Sequence, residues 1–197
     1  MPPEFVTPRA DEYMEVLETR LPGKTHRHVQ SVARLMLTFA EEVGITDEQA
    51  VTAGLLHDLC KPLKKEEMVA RAKAFGITED LDNLNLLHGP VGAETCRAEL
   101  GVTDEAVLDA IRYHTTGRGD WNLVGCALYV ADFAEPLRTI PEAKTARIIL
   151  ESKGYNEALI YIVNKRFQYA RERFEPNENA TAFVEWVNRI TGRGSEK

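Results

Sequence analysis

Apolar residues recur along this chain at intervals of three and four, and strict alternation is almost absent. That periodicity belongs to helices with one buried face rather than to strands. Thr7-Pro8 offers an N-cap followed by proline at the first helical position, and Leu21-Pro22-Gly23 stops that first helix. Over about 24–43, Val29, Val32, Leu35, Met36 and Phe39 form an apolar stripe that ends at Gly44. Thr46-Asp47-Glu48-Gln49 reads as a capping box, opening a helix that ends near Lys61-Pro62. Further helices are predicted over 64–75, about 90–100, 104–113, 122–133, 141 to near 154, 155–174 and about 180–190. Residues 114–120 form a loop by composition. With no internal repeat, low-complexity tract or long linker, the expectation is one all-α domain over 1–197.

Composition narrows the partners. The chain has 197 residues, 44% of them hydrophobic, enough for a core without disulfide or metal staples. No apolar run reaches the roughly 18 residues of a membrane span, so no membrane partner is expected. Met1-Pro2-Pro3-Glu4 lacks a basic segment leading into an apolar one, so export is not expected either. The 24 Lys and Arg against 31 Asp and Glu leave a net charge of −7 and no basic stripe, which argues against a nucleic-acid partner. An anionic substrate must then meet a metal or a few placed Lys and Arg side chains. Cys60, Cys96 and Cys126 are odd in number and form no C-x-x-C, so they suggest neither a disulfide framework nor a zinc ribbon. Cys60 and Cys126 read as small apolar fillers, and a reducing cytoplasm is the expected location.

The candidate chemistry lies in His and Asp residues that fall inside apolar surroundings. His57-Asp58 follows the run Val51-Thr52-Ala53-Gly54-Leu55-Leu56, and Asp132 interrupts a second such run from Leu123 to Ala131. A buried carboxylate needs a partner, because burying it alone costs several kcal/mol or more. A salt bridge or a helix cap would serve, and so would a divalent cation held by imidazole and carboxylate. His28 lies in register with Val32, Leu35, Met36 and Phe39 and points inward, whereas His26 projects elsewhere, toward solvent. Two His and two Asp on three helices suit a metal site with positions open for water and substrate. Thr115, Thr116 and Gly117 form a small polar loop beside His114, either a plain turn or a source of donors for phosphate. Arg112 either faces the site or pairs with a surface carboxylate, and Glu135-Pro136 reads as no more than a helix end.

The order His28, His57-Asp58, Asp132 resembles that of the HD-domain metal-dependent phosphohydrolases. Four segments are similar to one branch, the YqeK family: Leu55-Leu56-His57-Asp58-Leu59-Cys60-Lys61, Leu87-His88-Gly89-Pro90-Val91-Gly92-Ala93-Glu94, Ile111-Arg112-Tyr113-His114-Thr115-Thr116-Gly117 and Tyr129-Val130-Ala131-Asp132-Phe133-Ala134-Glu135-Pro136. The resemblance is strong over about 24–138 and weaker in the C-terminal helices. It implies a helical bundle with a core at about 24–140, and C-terminal helices over 141–191 that complete a nucleotide site. It implies symmetrical hydrolysis of dinucleoside tetraphosphate, diadenosine tetraphosphate giving two ADP. A divalent metal is implied, iron foremost with manganese or another divalent ion as alternatives, as one ion or two.

By the same resemblance His28, His57, Asp58 and Asp132 are metal ligands. His88 and His114 either complete a second metal site bridged by Asp58 or contact phosphate. Lys61 matches a phosphate-contacting lysine and Arg138 a nucleotide-contacting position. The resemblance implies that Asp58, Lys61, His88 and His114 carry the chemistry. Nucleotide contacts are expected from His28, Asp58, Lys61, His88, His114, Thr115, Thr116, Gly117 and Arg138. They extend to the segment holding Asn177, Asn179 and Thr181, which departs from the Ile-His-Pro-like motif of relatives. His26 also departs, standing where relatives are expected to carry an aromatic residue.

The implied reaction is attack of water on an inner phosphorus, with Lys61, His88 and His114 supporting the leaving nucleoside diphosphate. No separate general base is identifiable. One rival is another HD-type activity (nucleotidase, cyclic-nucleotide phosphodiesterase or alarmone hydrolase), for which additional motifs were expected and not found. The other is a non-catalytic nucleotide-binding regulator, against which the intact ligand set argues. A homodimer is compatible with the sequence, which does not itself fix the oligomeric state.

Overall fold

The predicted Gly44 stop and the Thr46 cap both form as local hydrogen bonds. A computed structural model describes residues 5–175 and 177–192, and among them it contains ten α-helices and no strand. These are α1 (Ala10–Arg20), α2 (Gly23–Val43), α3 (Asp47–Leu56), α4 (Lys65–Ala74) and α5 (Leu84–Leu100). There follow α6 (Glu105–Tyr113), α7 (Leu123–Ala134), α8 (Pro141–Lys153), α9 (Tyr155–Arg173) and α10 (Glu178–Ile190). The Thr46 hydroxyl accepts from the Gln49 N–H while the Gln49 side chain accepts from the Thr46 N–H, closing the expected capping box at α3. Asp104, Asn122 and Asn177 cap α6, α7 and α10 with their side chains.

Four boundaries differ from expectation. Thr7-Pro8 does not open α1; the Thr7 carbonyl accepts from the Ala10 N–H in a turn, and Arg9 takes the cap position. The third helix ends at Leu56 instead of near Pro62. The His57 ring takes the Gly54 carbonyl, which would otherwise accept from Asp58, and the chain continues in tight turns as Leu59 and Lys61 bond back to Leu56 and Asp58. The fifth helix starts at Leu84, capped by Asn83, and carries Pro90 in its interior instead of at its first turn. The tenth begins two residues before the expected start at Ala180.

The apolar faces bring α2, α3 and α7 together at the centre, with α5 and α6 packed as a second pair beside them. Gly54 permits the closest of these approaches, since a Cβ there would overlap the Ala33 backbone of α2. That contact sets the end of α3 against α2. The eighth and ninth helices pack on each other and on α7, and α10 lies on α9. Phe183 of α10 reaches back to Trp121, Tyr129 and Gly117, fastening the C-terminal helices beside the 114–120 loop. No described helix is long and apolar enough to cross a membrane.

Candidate metal centre

The cluster is assembled from the ends and middles of five helices. His28 comes from α2, His88 from α5 and Asp132 from α7, while His57 and His114 are the C-cap residues of α3 and α6. Asp58 follows His57 directly. His57, Asp58, His88, His114 and Asp132 are all buried, and the His28 side chain is 15% exposed. His28 Nε2 lies 3.2 Å from Asp132 Oδ1 and 3.8 Å from Asp58 Oδ2. His57 Nε2 lies 3.7 Å from Asp58 Oδ2 and 3.9 Å from Asp132 Oδ1. On the other side, Asp58 Oδ1 is 3.2 Å from His88 Nε2 and 3.5 Å from His114 Nε2.

Three of these rings are oriented by the backbone. His57 Nδ1 is 2.9 Å from the Gly54 carbonyl, His114 Nδ1 2.8 Å from that of Ile111 and His88 Nδ1 3.3 Å from that of Leu84. A carbonyl only accepts, so each Nδ1 carries a proton, and His57, whose Nε2 has no hydrogen bond, turns a lone pair inward. That lone pair meets the carboxylates of Asp58 and Asp132. An acceptor-rich centre of this kind calls for a cation. The buried atoms His28 Nε2, His57 Nε2 and Asp58 Oδ1 indeed have no well-directed hydrogen bond. Imidazole rings whose other nitrogen is anchored to a carbonyl are the arrangement expected of metal ligands. Ligand atoms of His28, His57 and Asp132 lie within 4.8 Å of one another, as do those of His57, Asp58 and His114, so a divalent ion fits the residues present.

Electrostatics agree. Burial pushes the His57 imidazole down to about 3, which keeps it neutral. Burial would raise the Asp58 carboxyl, but His57, His114 and His88 hold it well below the usual carboxylate range. Burial likewise opposes the Asp132 charge, and Arg138, His28, His57 and Arg166 outweigh it. For His28 burial acts downward, yet the Asp132 and Glu135 carboxylates beside its two ring nitrogens raise it to about 9.

Basic side chains edge the cluster. Lys61 Nζ, half-exposed, donates to Asp58 Oδ2 at 2.7 Å, and Arg138 donates to Asp132 Oδ1 at 2.7 Å. Thr115 Oγ1 is 3.4 Å from His114 Nε2, whereas the Thr116 hydroxyl donates to the Gly117 carbonyl. The polar contacts of Asn177, Asn179 and Thr181 are local to the start of α10: Asn177 Oδ1 accepts from the Asn179 N–H, and the Thr181 hydroxyl donates to the Asn177 carbonyl. Arg112 pairs with Glu94, which resolves its two readings toward the carboxylate. His26 is half-buried instead of facing solvent, with its ring 3.3 Å from the Gln30 amide.

Two residues of the cluster escaped the sequence reading. Glu135, read as a helix end, is buried and meets His28 Nδ1 at 3.2 Å, so it orients that ring. Its signal was an acidic residue directly after the apolar run of α7. Arg166 of α9 reaches Asp132 from 34 positions away, and no local pattern marks it.

A profile of the HD domain matches residues 25–189. A symmetrical bis(5'-nucleosyl)-tetraphosphatase of Bacillus subtilis (strain 168) is 34% identical over 169 residues, covering 84% of this chain and 90% of the relative. One of the same name from Staphylococcus aureus (strain NCTC 8325 / PS 47) is 35% identical over 149 residues, or 75% and 77% of the two chains. The crystal structure of a predicted HD superfamily hydrolase involved in NAD metabolism from Clostridium acetobutylicum superposes with a TM-score of 0.83 at 27% identity, covering 91% of this chain and 97% of that one. The match to the profile over most of the chain, the relatives and the cation-seeking His and Asp cluster lead to one conclusion: the chain belongs to the HD-domain family of metal-dependent hydrolases.

Proposed function

We propose that this protein hydrolyses dinucleoside tetraphosphates symmetrically, taking diadenosine tetraphosphate to two ADP, with a divalent metal, iron foremost, at His28, His57, Asp58 and Asp132. The observation that carries the reading is the fully buried His57 Nε2, whose lone pair faces the carboxylates of both Asp58 and Asp132. Relatives that cover most of this chain bear the name of that activity, which supports the choice of substrate.

A divalent ion at such a site supplies Lewis-acid polarisation of phosphoryl oxygens and a lowered pKa for water. The chain supplies the rest. Gly54 holds His57, and Glu135 holds His28, so neither ring must reorganise when substrate arrives. Lys61 and Arg138 hold positive charge at the rim, each paired with a site carboxylate, where a polyphosphate can compete for it. His88 and His114 face each other through Nε2 at 3.0 Å, and a proton held between those atoms can be donated to the departing nucleoside diphosphate. Nucleoside contacts fall to the polar loop Thr115, Thr116 and Gly117 and to the start of α10 at Asn177, Asn179 and Thr181.

The test is hydrolysis of diadenosine tetraphosphate in ¹⁸O-labelled water, with Fe²⁺ or Mn²⁺ added and with chelator as control. ADP as the only nucleotide, about half of it carrying one label because one water enters per cleavage, is the expected result. ATP and AMP in equal amounts would overturn symmetrical cleavage. Turnover only of a mononucleotide, cyclic nucleotide or alarmone would replace the substrate.

A further inference from the structure

The two oxygens of Asp132 are held by different arginines. Arg138 takes Oδ1 at 2.7 Å, the oxygen that also faces His28 at 3.2 Å and His57 at 3.9 Å. Arg166, from α9, takes Oδ2 at 3.4 Å. Its second terminal nitrogen donates to the Thr115 carbonyl at 3.0 Å, and its guanidinium lies 4.1 Å over the Tyr129 ring. Tyr129 is itself packed edge-on against Trp121 and Phe183, so the guanidinium rests on a fixed platform.

The two arginines therefore differ in what they can do. Arg138 shares the carboxylate oxygen that a cation bound with His28 and His57 would use, so it competes with the ion for that oxygen's charge. Arg166 occupies the outward oxygen and can stay while the inward one is used. Its fork also spans two elements: Asp132 on α7 and the loop whose Thr115 hydroxyl lies 3.4 Å from His114 Nε2. A planar guanidinium makes these two bonds in fixed directions, which an ammonium cannot.

We infer that Arg166 is a positioning residue that fixes the outward oxygen of Asp132 and the 115–117 loop together, so that α9 sets the geometry of both sides of the metal centre. The inference rests on the metal-centre reading above. It assigns α9 a part in the chemistry beyond packing. Arg166 acts through Asp132 and Thr115, without touching the ion.

The experiment compares the unaltered protein with Arg166→Lys and Arg166→Gln. Mn²⁺ affinity is measured by chelator competition, melting temperature on the metal-free proteins, and ADP formation at saturating Mn²⁺. Arg166→Gln is expected to bind Mn²⁺ about tenfold more weakly, with a smaller loss in Arg166→Lys, which keeps the charge but not the fork. At saturating Mn²⁺ both variants should retain a lowered kcat, because the Thr115 bond is gone. Unchanged Mn²⁺ affinity in Arg166→Gln would overturn the inference, as would equal losses in both variants that simply track melting temperature. Should Arg166→Gln fail to fold, Arg166→Lys decides alone: unaltered affinity and kcat would overturn the inference, and a loss of both would support it. Failure of the unaltered protein to bind Mn²⁺ would instead count against the metal-centre reading, so the two failures are told apart.

Discussion

His88 Nε2 and His114 Nε2 lie 3.0 Å apart, although each ring has its Nδ1 proton directed at a main-chain carbonyl. Two lone pairs at that distance repel, and Asp58 Oδ1, within 3.5 Å of both, adds a third acceptor. A shared proton or a bound cation relieves the repulsion. Either answer would put an exchangeable charge at the pair, and the proposed proton donation by His88 and His114 rests on it.

Changing His88 or His114 to Ala should therefore lower turnover by about 100-fold, the scale of a lost proton donor. At least one metal ion should stay bound, since His28, His57, Asp58 and Asp132 remain. Metal content by mass spectrometry beside the rate of ADP release checks this. Loss of all metal from either variant would show one cooperative site in which the two histidines are integral.

Asp58→Ala should abolish both metal retention and hydrolysis while the circular dichroism stays helical. Asp58 is the residue common to the two halves of the cluster, facing His28 and His57 through Oδ2 and His88 and His114 through Oδ1. His26→Ala is the control. Its ring meets Gln30 and no carboxylate of the cluster, so metal content and rate should be almost unchanged. A retained metal with normal turnover in Asp58→Ala would remove the site from this cluster.

Much of this architecture could be read along the chain, and what escaped has physical reasons. The Thr46 and Gln49 box and the Gly44 stop are local devices, so they appear in the sequence as they appear in space. The stripe of α2 turns His28 inward because four apolar neighbours share its face. The end of α3 was missed because a side chain decides it: the His57 ring takes the Gly54 carbonyl. Pro90 misled because proline usually marks a first turn, whereas Asn83 provides the cap upstream. Glu135 and Arg166 act on partners 107 and 34 positions away, separations at which no period or cap speaks.

Gly117→Ala separates the loop from the metal. Gly117 has φ +69°, and a Cβ there would overlap the Phe183 ring, so the substitution is strained twice. A loss of about 1–3 kcal/mol is expected, which for a chain of this size lowers the melting temperature by roughly 3–10 °C. Metal content should stay normal, because no ligand atom comes from this residue, while KM for the nucleotide rises. Unchanged KM in a folded Gly117→Ala would exclude the 115–117 loop from substrate contact.

Metal uptake should release a proton at neutral pH. In the metal-free protein burial depresses His28, but Asp132 and Glu135 outweigh it and raise the imidazole to about 9, so at pH 7 it is protonated. A metal needs the neutral ring, and binding therefore expels that proton. The sign follows for both states. The folded-state value lies above the unfolded one, so protonated His28 stabilises the metal-free fold fully below pH 6.5, and that support fades as pH rises through 9. Metal affinity moves the other way, tightening by up to about tenfold per pH unit from 7 toward 9 on account of this one proton. Calorimetric titration of chelator-treated protein with Mn²⁺ in two buffers of different ionisation enthalpy counts the protons directly. Release of close to one at pH 7, falling toward none above pH 9, is the expected result, and a count of zero at pH 7 would mean that His28 is already neutral before the metal arrives.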